Sequence, residues 1–249
     1  MSLSDYSTKD LSDWDEKICE IARSYGLDWF DINYEICDYY EMIGHMSYHG
    51  MPSHYNHWSY GKTFERTHLN YNMGQSGLPY EMIINSNPSI AYLMMQNPLY
   101  LQILIMAHCV GHSDFFKNNR CFKDTDPDHV VSRMRNAKKR IQGYIEDPSI
   151  GQDKVEAFLD SLHAIKYQTN RYGIPRQTRE EIKALEIKRF NAYKKKGLLL
   201  DYDDLETRRL LKPDHDMLSF FTEYYPDKFS NWQLDLFEIV KQDSWYFMP

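Results

Sequence analysis

Leu99-Tyr-Leu-Gln-Ile-Leu-Ile-Met-Ala-His-Cys-Val-Gly-His-Ser-Asp-Phe-Phe-Lys-Asn118 is the stretch on which the architecture turns. It follows Asn97-Pro98, a capping residue and then the proline favoured at a first helical position, and it stays largely apolar as far as Val110. This pattern predicts one long, mostly buried helix. Its longest apolar run, Ile103 to Val110, is interrupted by His108 and is far shorter than the roughly 20 residues needed to cross a bilayer. The helix is therefore expected in a globular core, with no membrane span.

His108 and His112 stand at i and i+4 of this helix, so their imidazoles leave the same face and can hold one metal ion between them. Cys109 and Asp114 nearby are further ligand types suited to zinc or iron. The pattern resembles the HExxH metalloprotease motif only in part, because Cys109 stands where that motif has its general-base glutamate. A third ligand must come from a distance, and His54, His57 and Glu81 are the candidates. The same two histidines can equally serve as hydrogen-bonding groups in a polar core layer, and the residues alone leave both roles open.

Upstream, Leu11, Trp14, Ile18, Ile21, Ala22 and Tyr25 recur at helical spacing, with Ser12 as a cap and Gly26 suited to the left-handed residue past the end. Ile32, Tyr34 and Ile36 alternate with polar neighbours, which is the period of a half-buried strand over 31–37, and a second short strand is expected at 80–85. Between them runs Gly50–Gly61, rich in histidine and aromatic rings, followed by a helix ending near Gly74. His57, Trp58 and Lys62 in this loop fit either a pocket wall or aromatic packing beneath a loop. Asn85-Ser-Asn-Pro88 reads as turn chemistry, with Asn85 or Asn87 available to cap a following helix, or as a run that holds the loop in place, and Asn85 counts among the candidate pocket residues. Lys117, Asn118 and Asn119 fit either helix termination or the polar rim of a pocket.

Downstream, helices are expected after Asp126-Pro127 and after Asp147-Pro148, the two forming a hairpin. From Arg176 to Lys212 the chain is dense in charge of both signs, with a lysine triplet at 194–196, and reads as an exposed connector. Met217 to Tyr225 then predicts a short apolar helix, and Ser230 caps a last one ending in Trp245-Tyr-Phe-Met-Pro249. The fold class expected is α+β, predominantly helical, with a small β-sheet beside the long His-bearing helix. The expected divisions are a core over 1–175, a charge-rich connector over 176–215, and C-terminal helices over 216–249 packing on the core.

Composition narrows the function classes. Acidic residues outnumber basic ones by 36 to 29 in 249 residues, a net charge of −7, which argues against nucleic acid as a partner. Four cysteines without a CxxC pair, and an acidic rather than basic N-terminus, point to free thiols in the cytoplasm. The 20 Tyr, 12 Phe and 5 Trp exceed ordinary usage, so many rings must lie half-buried with the phenol finding a partner.

Gly50-Met-Pro52, His57-Trp-Ser-Tyr-Gly-Lys62, Tyr80-Glu-Met-Ile-Ile-Asn-Ser-Asn-Pro88 and Ala107-His-Cys-Val-Gly-His-Ser-Asp-Phe-Phe-Lys-Asn-Asn119 together resemble the signature of the stage V sporulation protein R (SpoVR) family. The likeness runs from about residue 10 to 170 and returns at 231–249. Family members are longer and continue into an Asn-Glu-Gly-Trp-Ala segment whose glutamate is a further candidate third ligand, so the resemblance implies an N-terminal half or a short member. It also implies a link to spore cortex assembly or, in bacteria that never sporulate, to stress responses alongside a serine protein kinase system.

Two functions are expected from residues and resemblance together. The first is a metal-dependent hydrolase with His108 and His112 as ligands to zinc or iron, and His57 and Glu81 nearby. The second is a non-catalytic scaffold or partner-binding protein, or a fragment lacking part of its site.

Overall fold

The first helix, α1, spans Thr8–Ser24. Its cap is Ser7, not Ser12: the Ser7 hydroxyl accepts from the Asp10 N–H while the Asp10 carboxylate accepts from the Ser7 N–H. This reciprocal pair satisfies two helix-end donors at once, and it starts the helix one turn earlier than the apolar periodicity indicates. Gly26 follows the helix at φ +79°, as expected of a left-handed terminator. The structure, a computed structural model, describes residues 5–51, 53–75, 81–169 and 216–247, with the side chains of residues 123 and 124 left aside. The connector expected over 176–215 lies outside the described residues.

Three strands form one sheet in the order β1 (Ile32–Cys37), β3 (Ser89–Met94), β2 (Glu81–Ile84). β1 runs parallel to β3, and β2 antiparallel to it. The strands at 32–37 and 81–84 are those expected. The central strand is a correction: Asn85 to Pro88 turns the chain into β3 rather than capping a helix. The Asn85 Nδ2 instead donates to Thr125 Oγ1 at 2.8 Å, and Asn87 Nδ2 to Asp128 Oδ1 at 2.7 Å.

Register decides what each face of the sheet meets. Ala91 pairs with Tyr34 and Ile83, and Leu93 with Ile36 and Glu81. Opposed residues share a face of the pleat, so Ile32, Tyr34, Ile36, Ala91, Leu93, Ile83 and Glu81 all lie on one side. On that side pack α1 and the long helix α4, Leu99–Asn118. Leu11, Ile18 and Ala22 of α1 meet Ile105, Met106, Cys109 and Val110 of α4 over Ala91 and Leu93, forming the core. Pro98 is the cap position of α4 and offers no side-chain bond; the Leu99 N–H is taken by Asp5 Oδ1 at 3.0 Å, while Asn97 is buried.

The opposite face of the sheet meets α2, Tyr39–Ser47, whose His45 ring stacks on Tyr92 with centroids 3.8 Å apart. Helix α3, Trp58–Asn72, packs against α2 and ends before Gly74. Gly50 connects the two with φ +77°, and a Cβ there would stand 2.6 Å from Met82 Sδ. The sulfur can swing aside, but the backbone conformation costs an L-residue about 1–2 kcal/mol. Gly50→Ala is therefore expected to lower the urea midpoint by a stability loss of about 1–2 kcal/mol; an unchanged midpoint would contradict this.

A short 3-10 turn over Arg120–Thr125 leads to α5, Val130–Glu146. The chain divides into two compact units, 1–152 and 153–248. The expected hairpin partners therefore fall in different units: α5 in the first, α6 (Gln152–Ile165) almost entirely in the second. The second unit also holds α7, Met217–Tyr224, and α8, Asn231–Phe247. Its buried apolar residues are mostly aliphatic, and a cluster of rings packs around buried Phe237, with half-buried Phe158 edge-on to Trp232 at 5.6 Å and to Phe237 at 5.5 Å, and Phe229 against Phe237 at 4.9 Å. Edge-to-face ring pairs at such distances account for part of the aromatic excess. Among the described residues no helix is long and apolar enough to cross a membrane.

Candidate metal centre

The pleat that turns Ile83 toward the core also turns Glu81, two residues earlier, toward α4. There it meets the two histidines. His108 Nε2 lies 3.5 Å from Glu81 Oε1 and 2.8 Å from His112 Nε2. One ligand-type atom from each of the three lies within 4.8 Å of the others. Donors held at about 2.0–2.1 Å by a tetrahedral zinc stand about 3.3 Å from one another, so the observed separations need only small side-chain adjustments to close on an ion.

The three groups differ in exposure. The His108 side chain is 57% exposed and that of Glu81 21%. His112 is half-buried and stacks on Phe116, one helical turn further along, with centroids 6.1 Å apart. Burial first, then the neighbouring His108, hold the His112 imidazole below its ordinary range, with Glu81 opposing. A neutral imidazole is the form that binds metal. The 2.8 Å contact between the two Nε2 atoms requires one to donate and the other to accept, so both lone pairs become free for an ion only when the shared proton leaves or moves to Nδ1.

The structure places the other candidates away from this cluster. Cys109 is fully buried in the core, and burial, with Glu81 adding to it, pushes its thiol up to about 12. It is thus a neutral apolar filler, not a thiolate ligand. Asp114 Oδ1 accepts from the Asp28 N–H at 2.8 Å, Asn118 Nδ2 donates to the Asp28 carbonyl at 2.7 Å, and Lys117 pairs with the Asp28 carboxylate. These residues of α4 pin the segment that enters β1. Asn119 Oδ1 accepts from the Cys121 N–H and starts the 3-10 turn.

His57 is the cap of α3, its Nδ1 2.7 Å from Ser59 Oγ. His54 is buried between Tyr55 and Tyr60, with ring centroids 4.4 and 5.0 Å away. Trp58 is exposed with Lys62 Nζ 5.8 Å above its ring. The loop is therefore built as stacked rings beneath a helix start. Ser113 carries no mark in the sequence, yet its buried hydroxyl accepts from the Phe30 N–H and donates to the Phe30 carbonyl. A lone serine in an apolar helix offers no periodic signal that would reveal this.

A family model described as SpoVR like protein matches residues 5–249. The chain is 37% identical over 246 residues to the uncharacterized protein YcgB of Escherichia coli (strain K12), an alignment covering 94% of this chain and 48% of that protein. It spans about half the length of this curated relative. No solved structure matches. Of the segments that carry the resemblance, the one after Tyr80 supplies Glu81 and the one after Ala107 supplies His108 and His112, so the convergent cluster lies on the matched sequence itself. With a match that runs over nearly all its residues, this chain belongs to the SpoVR-like protein family.

Proposed function

We propose that this SpoVR-like chain is a metal-binding domain in which Glu81, His108 and His112 hold one divalent cation, zinc or iron, for a hydrolytic reaction. The observation that carries this is the convergence of two imidazoles and one carboxylate from separate elements, β2 and α4, within 4.8 Å. Two histidines and one carboxylate with a remaining open position make up a known class of catalytic zinc site, and the same donor set suits non-haem iron. With Glu81, His108 and His112 as its holders, a bound divalent ion would supply an activated water at physiological pH. The chain's own contribution is positional: the pleat aims Glu81 at α4, and the i, i+4 spacing aligns the imidazoles.

The biological setting proposed is that of the family, in the cytoplasm: spore cortex assembly, or the stress response alongside a serine protein kinase. Elemental analysis of protein purified without chelator tests the metal assignment. About one equivalent of a transition metal per chain is expected, together with its loss from the His108→Ala/His112→Ala double variant. Metal-free protein that takes up no ion on incubation with zinc or iron(II) would overturn it.

A further inference from the structure

Helix α4 buries one side in the core and leaves the other side bare. Along that bare side stand Tyr100, Leu104, Ala107, His108, Gly111 and Phe115, all exposed. Their spacing of i, i+4, i+7, i+8, i+11 and i+15 puts them on one helix face, a stripe about 22 Å long at 1.5 Å per residue. Tyr100 is 75% exposed, Leu104 66% and Phe115 51%, and no member of the stripe carries a fixed charge. Helix α5 of the same unit shows the ordinary alternative, since its exposed positions include Arg135, Lys139 and Arg140. An uncharged helix face of this length, with Tyr100, Leu104 and Phe115 exposed on it, marks a surface that something covers.

We infer that this face docks the half of the SpoVR-like polypeptide that the present chain does not span. The curated relative is about twice as long as the segment matched, while 94% of this chain aligns within it. The stripe lies within the stretch matched by the family model, and the longer relative has a comparable further length of polypeptide available to lie against it. The occupant's surface is apolar, matching the uncharged stripe, and docking takes His108 out of water. The inference stands on exposure and chain length and does not rest on the metal assignment.

The test compares thiol alkylation rates, read by peptide mass spectrometry in the presence of chelator. A cysteine replaces Leu104 in this chain and the aligned residue in the intact Escherichia coli relative, with a cysteine at the position of Tyr25, also exposed, as the reference. Expected is fast reaction in this chain, found monomeric by light scattering, and at least about tenfold slower reaction in the intact relative, as for a site reached only through local opening. Equal, fast reaction in both proteins overturns the inference. So does slow reaction in this chain alone: if the chain is then a dimer that Leu104→Glu makes monomeric, a second copy covers the face, and if it is a monomer, its own segment does. Because chelator is present throughout, a shielded face with no metal binding separates this inference from the metal assignment.

Discussion

His108→Ala is expected to weaken zinc binding by more than about 100-fold, beyond the 10–100-fold that loss of a mere supporting contact to a ligand costs. The substitution is unusually clean. His108 is more exposed than buried, and alanine is the strongest helix former, so α4 should persist unchanged in far-ultraviolet circular dichroism. The loss should appear equally in thermal denaturation. Ion binding to the folded state alone stabilises by about 4 kcal/mol at a thousandfold excess over Kd, and the zinc-dependent rise in melting temperature should vanish in His108→Ala. Glu81→Gln should show the same direction with a smaller loss, since the amide keeps an oxygen donor but not its charge. A rise in melting temperature with zinc that is identical in wild type and both variants would show that the ion binds elsewhere.

Leu93→Ala is expected to remove about 2–5 kcal/mol of stability, the range for truncating a fully buried leucine. Leu93 is completely buried on the central strand, paired with Ile36 on one side and Glu81 on the other. Deleting its side chain opens a cavity between the sheet and α1 and α4, where the surrounding apolar groups can relax only partly. Against a typical total of about 5–15 kcal/mol, that is a large fraction. The cavity also lies directly beside the strand position that aims Glu81, so metal affinity should fall together with stability. Leu69→Ala, on an exposed position of α3, serves as the control and should stay within about 0.5 kcal/mol. Urea denaturation of both variants measures the difference; equal midpoints would contradict the placement of β3 at the centre of the sheet.

That central strand is not legible in the sequence, for a physical reason. β1 alternates half-buried and exposed residues and so shows the period of two that marks a half-buried strand. In β3, by contrast, Ser89, Ala91, Tyr92 and Leu93 are all buried. A strand covered on both faces loses the alternation and reads as a plain apolar run. The Asn-Ser-Asn-Pro turn before it carries helix-capping residues, which suggest a helix instead of a strand. The long helix was legible because its apolar character extends well past strand length, and the i, i+4 histidines were legible with it. Choosing among His54, His57 and Glu81 was not possible from spacing, because it depends on β2 pairing with β3 in a register that turns Glu81 toward α4. The cap of α1 is ambiguous in the same way: Ser12 and Ser7 are both competent caps, and only the Asp10 reciprocal bond distinguishes them.

The most direct test of the central claim is an anomalous difference map at the zinc absorption edge from crystals grown with zinc. One strong peak is predicted about 2.0–2.1 Å from the coordinating nitrogens of His108 and His112, with a Glu81 carboxylate oxygen as the third protein ligand. A map with no peak between these three side chains, from protein shown to carry zinc in solution, would contradict it.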